Sequence, residues 1–205
     1  IYAIGGYRSG VHLSTVEAYE PTTDTWTKKA NMPTARGILF TCFVNGKIYA
    51  SGGVTGASSA LSTVEEYDPA TDTWTTKADM PAPRTSRNSV VDEKIYAFGG
   101  VAGPGGVPHS TLFRYEPATD TWTAKDDMPV RMTSMGTSTV GRRIYIIGGT
   151  SAPYPYNPSL STVWEFISAP EFDFNEDGVV DAQDMSIMVD HWHTDASRYD
   201  LAPVA

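Results

Sequence analysis

The chain has 205 residues, 24 of them acidic and 15 basic, for a formal net charge of −9, which argues against nucleic-acid backbones and anionic membrane surfaces as partners. Its 18 glycines, 14 prolines and 19% charged residues suit a turn-rich β protein, and no run approaches the roughly 18 apolar residues needed to span a bilayer. A single cysteine, Cys42, leaves no intramolecular disulfide, so strand pairing and aromatic packing must carry the fold.

Along the chain one string recurs four times. IYAIGG, IYASGG, IYAFGG and IYIIGG close on Gly5-Gly6, Gly52-Gly53, Gly99-Gly100 and Gly148-Gly149, spaced 47, 47 and 49 residues apart. A repeat of this length signals blades or a solenoid. Each string is a short β-favouring run that ends where a missing Cβ permits positive φ or close backbone approach. In the second unit, Ser62 to Tyr67 alternates apolar and polar residues as a half-buried strand does, imperfectly, because Glu65 shares a face with Tyr67. Asp68-Pro69-Ala70-Thr71-Asp72 then reads as a turn, and Thr73-Trp74-Thr75-Thr76 as a return strand. This phrase recurs with Tyr19/Trp26, Tyr67/Trp74 and Tyr115/Trp122 at a constant separation of seven. A third phrase, Met32-Pro33, Met80-Pro81 and Met128-Pro129, precedes a strand that turns through residues such as Asp92-Glu93 into the next IY run. Four strands per unit follow. Cys42 falls in the apolar run from Leu39 to Val44 and is expected to be an inert core thiol.

The three phrases, repeated in register over residues 1–168, resemble the Kelch repeat. That resemblance implies an all-β fold of four-stranded antiparallel β-propeller blades, in which the diglycine ends the second strand and the spaced Tyr and Trp pack between blades. It also implies binding through inter-strand loops. The units at the two ends are incomplete, so the sequence predicts fourteen blade strands, about three and a half blades. Propellers close with about four to eight blades, so the chain reads as a fragment whose missing blades complete the ring. The alternative is a small closed or self-associating propeller whose terminal partial units share a blade.

Individuality is expected where the repeats differ, in the loops after each diglycine. Tyr7, Arg8, His12, His109, Tyr154 and Tyr156 are the candidate ligand-binding residues there, since aromatic and arginine side chains dominate recognition sites. Arg36, Arg84 and Arg131 follow the Met-Pro phrases at near-equivalent places, either as structural ions or as a ring facing the channel. No histidine has metal-motif spacing, and acids such as Glu65, Glu66 and Asp72 recur with the repeat, which favours structure over catalysis. Catalytic residues are not assignable, and the reading leans away from an enzyme.

Beyond Ser168 the pattern changes, and residues 169–205 read as a second module. Asp173, Asn175, Asp177, Val179, Asp181 and Asp184 fall at positions 1, 3, 5, 7, 9 and 12 of a loop with Gly178 at position 6, which is the spacing of Ca²⁺ ligands. Val179 contributes its carbonyl. Met185, Met188, Val189 and Trp192 then recur at helical spacing. Loop plus helix, with Asp at position 12, is similar to one half of a dockerin, and that resemblance implies a secreted or cell-surface protein tethered to a cohesin-like partner. Ala182 and Gln183 depart from the Ser or Thr that contact cohesin in that family. The function expected from both modules is a non-catalytic one, with propeller loops recognising protein or glycan. The alternative is a component of a polysaccharide-degrading enzyme system, or a Kelch-fold carbohydrate enzyme whose catalytic part lies elsewhere.

Overall fold

The computed structural model describes residues 1–56, 59–103, 105–152 and 159–168. Two compact units divide the chain, Ile1–Glu165 and Phe166–Ala205, and of the second only residues 166–168 are described. The expected calcium loop and helix therefore lie outside the described residues.

Blade 1 opens with β1 (Tyr2–Ile4), followed by the small hairpin β2 (Tyr7–Arg8) and β3 (Val11–His12), then β4 (Val16–Glu20) and β5 (Thr25–Lys29). Blade 2 holds β6 (Phe40–Val44), β7 (Lys47–Ser51), the small hairpin β8 (Val54–Thr55) and β9 (Ser59–Ala60), β10 (Val64–Asp68) and β11 (Thr73–Lys77). Blade 3 is β12 (Arg87–Val91), β13 (Lys94–Phe98), β14 (Leu112–Glu116) and β15 (Thr121–Lys125), and blade 4 is β16 (Gly136–Val140), β17 (Arg143–Ile147) and β18 (Val163–Ile167). The sheets run β1-β4-β5, β6-β7-β10-β11, β12-β13-β14-β15 and β16-β17-β18. These are the fourteen blade strands the repeats predict, and no helix occurs among the described residues. Strands β6, β12 and β16 stand next to one another in turn, as the innermost strands of radially stacked blades must.

Among the described residues, blade 1 lacks an innermost strand and blade 4 an outermost one. Both contain the IY strand and the strand after it, so they duplicate rather than complement each other.

Tight turns set the register. Asn45-Gly46 joins β6 to β7 with φ of 49° and 78°, and Asp92-Glu93 joins β12 to β13 with φ of 48° and 62°, the paired positive values that match a hairpin's twist. Because neighbouring blades cover both faces of an interior sheet, β7 and β13 are buried along almost their whole length. Val44, Tyr49, Val64 and Met80 of blade 2 form one core with Ile95 and Tyr115 of blade 3. Cys42 packs against this core, and burial pushes its thiol up to about 12, so it stays protonated and unreactive at neutral pH.

The seven-residue separation of Tyr and Trp has a direct cause. Tyr67 lies opposite Trp74 and Tyr115 opposite Trp122 in the ladders, with ring centroids 5.1 and 4.9 Å apart. The tyrosine hydroxyls donate to Asp72 and Asp120 at 2.6 Å, residues that close the turn at positive φ. Asp72 also accepts the Ala30 N–H at 2.9 Å while Trp74 donates to the Ala30 carbonyl at 2.9 Å. Asp120 and Trp122 hold Ala78 in the same way, at 2.8 and 2.9 Å. Blades 2 and 3 thus each grip the backbone that follows the outermost strand of the blade before.

These bonds hold both carboxylates below their ordinary range. At Asp72 the Tyr67 hydroxyl and the Ala30 amide are responsible; at Asp120 desolvation acts in the opposite sense and is outweighed by Tyr115 and Ala78. A depressed folded pKa contributes stability that is complete above the unfolded value of about 3.9 and is lost as pH falls through the folded value. Stability measured by urea unfolding should therefore drop below about pH 4. The drop should be shallower in Asp72→Asn/Asp120→Asn. An identical acid slope in wild type and double variant would show that the clamp has no electrostatic share.

Candidate functional site

Each of the first three diglycines sits under the segment that carries the chain from its blade to the next. At Gly99, φ is +46°, and a Cβ would come within 2.4 Å of the Met132 carbonyl and 3.0 Å of the His109 carbonyl. The amide of Gly100 donates to Met132 at 2.8 Å, as Gly6 does to Arg36 at 2.9 Å and Gly53 to Arg84 at 3.2 Å. Only glycine tolerates both the conformation and the approach.

Above this fixed base the loops vary. Each is closed by one bond from the amide at its far end to the carbonyl of the second glycine: Leu13 to Gly6, Leu61 to Gly53, His109 to Gly100 and Leu160 to Gly149, at 2.8–2.9 Å. The separations are 7, 8, 9 and 11 residues. Loops of different length therefore leave the same end of equivalent strands. In the first, the β2–β3 hairpin sets Tyr7 opposite His12, rings 5.2 Å apart edge to face. Tyr7 and Arg8 are exposed and His12 is half-buried. Tyr154 and Tyr156 lie outside the described residues.

The third loop borders a cleft of about 290 Å³ lined by Val107, Pro108, His109, Ser110, Thr111 and Arg131. The His109 backbone is fixed on both sides, its amide on Gly100 and its carbonyl on the Met132 amide at 3.1 Å. Desolvation, together with the cationic Arg84 and Arg131, pulls the His109 imidazole below its ordinary value. At neutral pH it is an uncharged ring with one donor and one acceptor nitrogen. Ser110 donates to Asp127 at 2.9 Å, and the cleft itself sets an exposed guanidinium and a neutral imidazole beside an apolar wall of Val107 and Pro108. Such a mixture suits a peptide-like ligand carrying both polar and apolar groups.

The arginines divide differently from the sequence expectation. Arg36 is fully buried and 2.7 Å from Glu65; its guanidinium also donates to the carbonyls of Thr63 at 2.8 Å, Ala50 at 3.1 Å and Gly52 at 3.2 Å. Thr34 donates to the other Glu65 oxygen at 2.7 Å. Arg84 is equally buried but meets Phe113, at the place of Glu65 in the next repeat, with its guanidinium carbon 4.7 Å from the ring centroid. It donates to Thr111 at 2.6 Å. Arg131 is not their equivalent. Met132 holds the buried place, its carbonyl accepting the Gly100 amide as Arg36 and Arg84 accept from Gly6 and Gly53, while Arg131 is exposed in the cleft. Arg36 and Arg84 are structural ions, and Arg131 is the residue free to face a ligand. The signal was in the spacing: Arg36 and Arg84 follow the Met-Pro methionine by four residues, Arg131 by three.

Among the described residues, no group of three His, Cys, Asp or Glu side chains is placed to hold a metal ion. The six candidate calcium ligands, Asp173, Asn175, Asp177, Val179, Asp181 and Asp184, lie outside the described residues.

Comparison with known proteins gives a consistent picture of the propeller part. The family model described as the KLHDC2/KLHL20/DRC7 Kelch-repeats domain matches residues 1–149, and the Kelch motif model matches residues 131–168. Among solved structures, that of YjhT superposes with a TM-score of 0.68 at 16% identity, covering 80% of this chain and 61% of the other. At that identity the likeness carries the fold alone. The chain spans about three-fifths of the length of that structure. No curated protein matches.

Proposed function

The chain belongs to the Kelch-repeat family, and from that premise we propose that it is a non-catalytic recognition module whose post-diglycine loops engage a protein partner. The observation that carries this reading is the variation of loop length, from 7 to 11 residues, between bonds that are the same in every repeat. A constant scaffold with variable loops is how binding surfaces are built on repeat folds. Tyr7, Arg8, His12, His109 and Arg131 supply the aromatic and cationic groups that dominate such contacts. Peptides selected from a displayed random library on the whole chain should bind roughly tenfold or more weakly to His109→Ala/Arg131→Ala or Tyr7→Ala/Arg8→Ala. Phe43→Ala, at an exposed residue on β6, should leave them unaffected. Selected binders indifferent to both loop variants would defeat the proposal.

The acidic stretch from Asp173 to Asp184 extends it. The alternate-residue oxygen ligands of Asp173, Asn175, Asp177 and Asp181, with Asp184 and the Val179 carbonyl, suit one hard cation, and Ca²⁺ binding there would order a tether for a cohesin-like partner outside the cell. Calorimetric titration of the whole chain with Ca²⁺ should show one site that Asp173→Ala or Asp177→Ala abolishes. An unchanged isotherm in both variants would remove calcium from the proposal.

A further inference from the structure

We propose that the cleft at the third loop selects an acidic side chain of the partner, and that Arg84, buried behind the cleft wall and out of a ligand's reach, sets this choice of charge. The inference rests on the recognition reading above and names the chemistry of one of its contacts. It begins with a break in the repeat. Glu65 and Phe113 hold the same register, opposite Ala50 and Ala97 on the strands beside them, and each meets the arginine that crosses from the blade before. Arg36 finds a carboxylate there. Arg84 finds a ring.

The consequence is electrostatic. A buried cation is costly unless an anion and enough acceptors compensate it, and Arg36 has both, in Glu65 and three backbone carbonyls. Arg84 is as deeply buried, yet its guanidinium has only the Gly99 carbonyl at 3.3 Å and the Thr111 hydroxyl at 2.6 Å. It has no ion-pair partner among the described residues, and its Nε has no acceptor. Thr111 lines the cleft, so the charge of Arg84 stands directly behind the wall. Arg131 supplies a second charge from the open side, and both act on the His109 ring between them. The acid whose charge Arg84 feels is Asp127, which Ser110 engages. Two of these three ions are positive, so an excess remains that one carboxylate balances. Low-polarity walls focus such a field into a cleft, and Val107 and Pro108 offer apolar cover to the methylene stem of Asp or Glu. The net charge of −9 does not oppose this, because residues 1–168 hold 15 acidic and 14 basic side chains and the surplus lies beyond them.

The test uses peptides with acetylated and amidated ends, which leave side chains as the source of carboxylates, selected on the whole chain for binding that His109→Ala/Arg131→Ala removes. Each should carry Asp or Glu, and its Asn or Gln counterpart should bind roughly tenfold or more weakly by fluorescence anisotropy. Phe113→Glu places a carboxylate where blade 2 has one, and should bring that acid-to-amide ratio close to one. Phe113→Gln has the same shape without the charge and should keep the wild-type ratio, with an unchanged circular dichroism spectrum in both variants. The wild-type comparison decides the acid preference whether or not Phe113→Glu folds. Acid and amide peptides that bind wild type equally would overturn the inference and leave the loop reading standing, whereas binders indifferent to the His109 and Arg131 substitutions would take both down. A ratio unchanged in Phe113→Glu, or one that falls as far in Phe113→Gln, would overturn the role of Arg84.

Discussion

Replacing Glu65 with alanine should cost about 3–5 kcal/mol of unfolding free energy, the range for removing one partner of a buried ion pair. The residue lies on β10, inside blade 2, and its carboxylate neutralises Arg36, which arrives on the segment crossing from blade 1. Without Glu65 the guanidinium keeps its carbonyl acceptors but loses its counter-charge in a site closed to water. Desolvation already pulls the Arg36 pKa down, and Glu65 is the main opposing influence. Melting temperature should fall by roughly 10 °C, at about 2–4 °C per kcal/mol for a domain of this size. Arg36→Met/Glu65→Leu, which removes both charges, should lose far less than the single variant, since apolar groups of similar volume often replace a buried pair at little cost. Met132 fills the equivalent place two interfaces further on, so the fold already accepts methionine there. Chemical denaturation of the two variants decides the matter. Equal losses in both would mean that packing volume, not charge compensation, governs the site.

Gly99→Ala is the second large effect. A left-handed conformation costs an alanine about 1–2 kcal/mol, and forcing a methyl group into closed packing adds about 1–3 kcal/mol. The group in the way is the Met132 carbonyl, which is backbone and is itself held by the Gly100 amide. Relief therefore requires the crossing segment to lift away from the diglycine and weaken the base of the His109 cleft. Gly141→Ala is the control, with φ of +57° and nothing within 4 Å of the added methyl. It should show only the conformational share, about 1–2 kcal/mol. If the two variants unfold at the same urea concentration, the close approach at Gly99 contributes nothing.

The blade strands were legible because three different signals agree in every unit: the diglycine, the opposed Tyr and Trp, and the Met-Pro turn. The small hairpins β2–β3 and β8–β9 were not, since two-residue strands are too short to show a period. On β10 the reading of a half-buried strand failed for a physical reason. Val64 and Glu65 point to opposite faces, yet both are buried, because a blade inside a stack has no solvent side. An acid at such a position signals a buried cation from the neighbouring blade, and Arg36 was visible as a candidate without its partner. In the loops, Tyr7, His12 and His109 could be named from composition alone. Arg131 was grouped with the wrong residues, because a one-residue shift in spacing changes which side chain is swallowed by the interface.

Near-identical tandem units invite docking in the wrong order, a characteristic failure of repeat proteins. Here the crossing residue and the strand position it reaches read Arg36 with Glu65, Arg84 with Phe113, and Met132 in register with Trp164. If blade 3 folded against blade 1, Arg36 would meet an aromatic ring and Glu65 would be stranded without a cation. Unlike plugs at otherwise repeated joints therefore act as address labels, and they give each sheet one neighbour it can accept without an orphaned charge.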